Sequence, residues 1–223
     1  MISAEGEKRF QFYGRRKGKS LRRHHSELME RLLPALRVDL SDPLGNMGDR
    51  RWLEIGFGGG EHLAHQADIH SEVSFIGAEP FVNGVAKLLA LVEEKSLANV
   101  NIHDGDARPL LEALPDAAFE RIYLLYPDPW PKARHNKRRF VSAETLAHFH
   151  RILKPGGLFL FASDIDEYVA WTREHVAAHG GFLEEGDPDL PYENWIQTRY
   201  EAKARREGRS SAYLTLRRTP FRA

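Results

Sequence analysis

Residues 51–60 read RWLEIGFGGG. Arg51 to Ile55 make a short apolar strand, and four of the next five residues are glycines: Gly56, Gly58, Gly59 and Gly60. A helix-like run from Glu61 to Ile69 follows. Glycines at such a turn let the backbone approach a ligand closely and leave amides free at the helix N-terminus. The same rhythm continues downstream. VSFIGAEP (73–80), NVNIHDGD (99–106), FERIYLLY (119–126) and KPGGLFLFASD (154–164) read as strands. FVNGVAKLLALVEEKSL, a short run near ARPLLEAL, SAETLAHFHRIL with Ser142 as its cap, and IDEYVAWTREHVAAHG read as the intervening helices. SAYLTLRRT (211–219) reads as a last strand. Alternation of this kind implies βαβ units and a doubly wound, mostly parallel α/β sheet covered on both faces.

Upstream of this block the chain changes character. Residues 1–25 form a polar, basic arm, with eight Lys/Arg and no acid from Lys8 to His25. HHSELMERLLPAL reads as a short amphipathic helix capped by Ser26, with Leu28, Leu32 and Leu36 on one face. SDPLGNMGDR (41–50) is a turn-rich linker. The expected division is therefore residues 1–50 as arm, helix and linker, and 51–223 as the catalytic domain.

In open parallel sheets ligands bind at the carboxyl ends of the strands. Each of the first four strands ends in an acid: Glu54, Glu79, Asp106 and Asp128. Unpaired carboxylates there are poor structural glue, and turn or cap roles account for one or two at most. A dinucleotide site would need G-x-G-x-x-G, but its third glycine position is Glu61, a carboxylate where a pyrophosphate would lie. The actual pattern, Glu54-x-Gly56-x-Gly58-x-Gly60, resembles motif I of class I S-adenosyl-L-methionine (SAM) methyltransferases. SAM carries an ammonium and a sulfonium and no phosphate, so nearby acids favour it. Glu79 is then placed for the ribose hydroxyls, Asp106 for the adenine amino group, and Glu54 for the amino-acid end. That class implies a Rossmann-like sheet of seven strands.

The fourth strand runs into YPDPWPKARHNKRR (126–139). Tyr126, Asp128 and Trp130 each precede a proline, which predicts extended backbone at all three and a loop that holds Asp128 still. Trp130 either stacks on a base or packs the loop onto the domain. Lys132, Arg134, Lys137, Arg138 and Arg139 follow as a basic cluster. LEIGFGGG, YPDPWPKARHNKRR, LKPGGLFLFASD, TRYEAKAR and the basic FYGRRKGKSLRR together resemble the bacterial tRNA (guanine-N7-)-methyltransferase family (TrmB-like). The resemblance covers nearly the whole chain. It implies SAM contacts at Glu54, Glu79, Asp106 and Asp128, with Asp128 as the catalytic candidate. It also implies substrate contacts at Lys132, Asp164 and the stretch Thr198, Arg199, Tyr200 and Glu201. Arg199-Tyr200 departs from the Lys-Phe often found there, but keeps the charge and the aromatic ring. Thr198 and Glu201 also read as a helix-starting capping box.

Guanine N7 has a lone pair and no proton, so no general base is required. The task is in-line positioning and support of positive charge as it moves to the base. Asp128 and Asp164 are the residues suited to it, and the basic cluster that includes Arg134 is suited to phosphates. A SAM methyltransferase for another RNA, a small molecule or a protein is the alternative reading.

Composition is consistent with this. The chain has 32 basic and 32 acidic residues, but twelve of the acids and only three Lys/Arg fall between Glu54 and Glu120. Basic runs flank that segment, which suits a polyanionic partner better than the net charge implies. With no cysteine there are no disulfides, thiolate metal sites or cysteine nucleophile. Neither a bilayer span nor a signal-peptide core is expected, and a cytoplasmic monomer or homodimer is. The pairs His62/His65 and His148/His150 lack a third ligand at metal spacing and read as surface or capping residues.

Overall fold

The computed structural model describes residues 13–221. Lys8 and Arg9, at the start of the basic arm, lie outside the described residues. The strands are β1 (Arg51–Ile55), β2 (Ser74–Ala78), β3 (Val100–His103), β4 (Phe119–Leu125), β5 (Leu153–Ser163), β6 (Phe182–Glu185) and β7 (Ala212–Arg218). They form one sheet in the order β3-β2-β1-β4-β5-β7-β6. Strands β1 to β5 pair in parallel, and β7 runs antiparallel between β5 and β6. The seven-stranded, mostly parallel architecture expected from the sequence is the one observed.

The strands are apolar on both faces because helices cover both. On β1, Leu53 and Ile55 join one core cluster and Trp52 the other, the alternation a pleated strand imposes. The first layer contains α5 (Ala107–Ala113), α6 (Ala143–Ile152) and α7 (Asp166–His179). The second contains α1 (Arg23–Arg31), α3 (Glu61–Ile69) and α4 (Val82–Lys95). A four-residue helix α2 (Leu33–Leu36) and α8 (Arg199–Arg206) complete the set. Ser142 caps α6 through a capping box with Thr145, and α7 ends at Gly180 with φ +72°.

Local details depart from expectation. Ser26 is not a cap: α1 begins at Arg23, and Arg22 at the N-cap makes no side-chain cap. Leu28 and Leu33 are buried with Leu88 and Leu89 of α4, so packing decides where this helix lies. Arg37 bridges Ile102 in parallel beyond β3, so residues 28–38 share the core of the sheet domain.

The sheet order reverses between β1 and β4, so successive crossovers leave on opposite sides and open a crevice at the strands' C-terminal ends.

Candidate active site

A cleft of about 390 Å³ occupies this crevice, within the usual size range for small-molecule sites. Gly56, Gly58, Glu79, Asp106, Asp128 and Tyr200 all line it. Glu54, Gly60, Lys132, Arg134, Asp164, Thr198, Arg199 and Glu201 lie outside its lining.

The glycine turn forms one wall. Gly56 has φ +71°, and a Cβ there would meet nothing within 4 Å, so the need for glycine is conformational and the space before it is the cleft. Gly60, behind the turn, packs on Leu88. Gly58 donates its N–H to Glu79 at 2.8 Å, and Phe81 N–H donates to the other carboxylate oxygen at 2.9 Å. Glu79 thus ties the turn to the end of β2. Burial pushes its carboxyl above the usual range, the two amides pull it back, Asp128 raises it further and Arg199 lowers it.

Two of the four acids are not unpaired, contrary to the sequence reading. Glu54 is 4% exposed and pairs with His62 Nδ1 at 2.7 Å. His62, expected at the surface, is itself buried between the rings of Tyr123 and Trp195. Asp106 caps α5 through the Arg108 amide and is gripped by the Arg108 guanidinium at 3.0 and 2.7 Å. Asp128 differs from both: among the described residues it accepts no hydrogen bond and makes no ion pair. Its residue surface is open, yet neighbouring protein strips enough water to push its carboxyl above the usual range.

The loop that carries Asp128 is not extended at all three expected positions. Tyr126 has φ +50° and Trp130 φ +44°. Such backbone costs on the order of 1–3 kcal/mol per residue and needs outside support. Tyr126 receives it at both ends, its N–H donating to Ala162 O at 2.7 Å and its hydroxyl to Ser211 at 2.9 Å. Trp130 packs edge-on to Tyr13, and Arg138 lies over both rings at 4.9 and 4.6 Å. A 3-10 turn over Ala133–Arg138 then presents Lys132, Arg134 and Lys137 to solvent.

The C-terminal candidates form a second wall. Thr198 caps α8 by accepting the Glu201 amide at 3.1 Å. The Glu201 side chain does not close the box. It is 1% exposed, accepts from Trp195 Nε1 at 2.7 Å and pairs with Arg205 at 2.6 Å. Arg199 and Tyr200 reach back to the glycine turn: a Cβ on Gly58 would lie 3.0 Å from Arg199 Nη2 and 3.2 Å from the Tyr200 ring. Asp164 is held by Arg209 Nε at 2.7 Å.

Sequence reasoning missed three features. Tyr13, Gly14 and Arg15 line the cleft, because Arg16 O accepts the Val82 amide and Gly18 and Lys19 bond Asn83 at the start of α4. Gly84 touches the glycine turn from α4; its signal was a glycine inside a helical run, which asks for a packing reason. Arg139 is 4% exposed rather than part of a solvated basic cluster.

A switch-point crevice, a glycine turn and acids at the ends of the second and fourth strands define a Rossmann-like class I methyltransferase. The comparisons agree. Residues 49–214 match the family model described as Putative methyltransferase. The tRNA (guanine-N(7)-)-methyltransferase of Agrobacterium fabrum is 58% identical over 92% of this chain and 93% of its own. That of Rhizobium johnstonii is 55% identical over 93% and 94%. In fold, the 16S rRNA methyltransferase KamB superposes with a TM-score of 0.56 at 18% identity, over 79% of this chain and 91% of its own. The chain belongs to the tRNA (guanine-N(7)-)-methyltransferase family.

SAM fits the residues present. The cleft offers the open face of Gly56 for close approach and two carboxylates, Glu79 and Asp128, that the surrounding protein strips of water, which pushes both carboxyls above the usual range. A cationic ligand with hydroxyls supplies what they lack.

Proposed function

We propose that this protein methylates N7 of a guanine in the variable loop of tRNA, using SAM. The observation that carries the reading is Asp128: a cleft carboxylate with no hydrogen-bond or ion-pair partner among the described residues, on a strained loop whose next residues put three cations into solvent. Bound SAM supplies an electrophilic methyl on a sulfonium.

The protein's part is binding, aim and charge. Glu79 accepts the ribose hydroxyls with the lone pairs left free by Gly58 and Phe81, Asp106 lies at the adenine end, and Glu54 supports the turn from behind. Asp128, aimed by the loop, accepts from the guanine edge and stabilises the positive charge arriving on the base. No side chain needs to remove a proton, since N7 carries none. Asp164, set by Arg209, is the second guanine contact, and Tyr200 offers a ring at the mouth of the cleft. Lys132, Arg134, Arg199 and the exposed face of α8 take phosphates, with Thr198 and Glu201 fixing the start of that helix. Residues 51–223 carry the chemistry and residues 13–25 extend the basic surface. No helix among the described residues is long and apolar enough to cross a membrane. The expected working form is a cytoplasmic monomer or homodimer.

Unmodified tRNA incubated with the protein and methyl-labelled SAM should yield labelled 7-methylguanosine by nucleoside mass spectrometry, with borohydride/aniline cleavage in the variable loop. Label in tRNA without an N7 product would refute the position of transfer. No label in tRNA at all would refute the substrate.

A further inference from the structure

We propose that Arg139 is a positioning residue for this transfer, an internal anchor for the Asp128 loop and not a contact to the tRNA backbone. The inference rests on the function proposed above. Arg139 closes a run of basic residues, yet its side chain is only 1% exposed, whereas Lys132, Arg134 and Lys137 stand in solvent. A buried guanidinium is costly unless it is fully engaged. Here Nε donates to Pro129 O at 2.9 Å, and Nη2 donates to Glu167 at 2.7 Å. The guanidinium also lies over the rings of Tyr168 and Trp171, at 5.2 and 5.0 Å.

The loop explains why such an anchor is needed. Pro127, Pro129 and Pro131 remove three backbone donors from a five-residue stretch. Residues 127–131 make no backbone–backbone hydrogen bond among the described residues, and the bond from Arg139 to Pro129 O is the one hydrogen bond their backbone accepts. That carbonyl lies between Asp128 and Trp130, whose φ of +44° needs outside support. The anchor is in turn seated on α7. Tyr168 OH accepts the amides of Phe140 and Val141 at 3.0 and 3.3 Å, and Trp171 Nε1 donates to Val141 O at 2.8 Å. Arg139 therefore transmits the position of α7 to the residue beside Asp128. Only a guanidinium can do this, because the carbonyl and the carboxylate are met by different nitrogens of one rigid plane.

Arg139→Lys keeps the charge and loses the fork, so it separates the two roles. An anchor predicts that kcat falls by roughly 10-fold or more while the KM for tRNA and its salt dependence stay near wild type. A phosphate contact predicts instead near-normal kcat, KM and salt slope, because lysine keeps the charge that a phosphate meets, whereas removing a cation, as in Lys137→Ala, makes the slope shallower. That second pattern in Arg139→Lys would overturn the proposal. Should Arg139→Lys fail to fold, Glu167→Ala decides. It removes one acceptor of the guanidinium at a half-exposed position, and a kcat unchanged from wild type there would overturn the proposal equally. Limited trypsin cleavage after Lys132 and Arg134 gives a readout without methylation. It should be faster in either variant than in wild type, and equal rates would overturn the anchoring role. If wild-type protein forms no 7-methylguanosine, the function proposed above falls, and the trypsin comparison still decides whether Arg139 holds the loop.

Discussion

Gly84 and Gly58 are in contact across the cleft wall: a methyl group added to Gly84 would lie 2.1 Å from the carbonyl oxygen of Gly58. The turn after β1 therefore rests directly on the first turn of α4. Gly84→Ala should gain about 1 kcal/mol of helix propensity. It should lose more than that, because the clashing atom is backbone and overpacking costs about 1–3 kcal/mol or more. The expected net effect is a lower Tm, by several degrees at about 2–4 °C per kcal/mol for a chain of this size, with weaker SAM binding. Thermal melts with and without SAM test both.

Asp128→Asn should lower kcat by about 10²- to 10³-fold, the scale for losing one preorganised electrostatic group, without loss of fold. Its effect on stability has a definite sign. The folded-state carboxyl is pushed up by desolvation, so its stabilising contribution is complete below the unfolded pKa and is lost as pH rises through the folded one. At neutral pH the wild type therefore carries a penalty that asparagine lacks. The variant should melt no lower than wild type at pH 7.5, and any advantage should vanish in acid. A clear drop in Tm at pH 7.5 would contradict the assignment.

Cofactor affinity should depend on pH through the same groups. Glu79 and Asp128 both hold protons more tightly than ordinary carboxyls. A cation bound beside them favours their ionised forms, so SAM binding should release protons and weaken as pH falls through the raised pKa values. Calorimetry in buffers of different ionisation heat counts those protons. S-adenosylhomocysteine, which lacks the sulfonium charge, should release fewer.

The architecture was legible because its signals are long: strand–helix alternation from Arg51 to His179 and glycines at a strand end. Local geometry was not. Three prolines argued for extended backbone, and bonds donated to Ala162 and Ser211, distant in sequence, instead hold Tyr126 at φ +50°. β6 was invisible because only Phe182 of its four residues is buried. The acids were found and their partners were not. His62 lies eight residues after Glu54, on the next element, and nothing in its neighbours marks it as buried. Arg139 looked like its basic neighbours because a pattern of charge does not say which cation turns inward.

Lys132→Ala and Arg134→Ala should each weaken tRNA use in a salt-sensitive way and leave SAM binding intact. Removing one phosphate-binding cation should reduce the log–log salt slope by about 1. Binding measured across a salt series tests this, and an unchanged slope in both variants would remove the 3-10 turn from the tRNA path.

The Glu54–His62 pair makes the sharpest separation between structure and cofactor. Both groups are nearly fully buried, 2.7 Å apart, and outside the cleft lining. His62→Leu leaves the Glu54 carboxylate buried without its partner, which should destabilise the protein by about 3–5 kcal/mol in urea unfolding. The double variant Glu54→Met/His62→Leu removes the orphaned group as well and should recover much of that loss, since an apolar pair of similar volume can replace a buried polar one. SAM binding by the double variant then decides what Glu54 does. Restored stability with lost SAM affinity assigns Glu54 a direct part in holding SAM. Restored stability with SAM affinity intact confines it to bracing the glycine turn against α3.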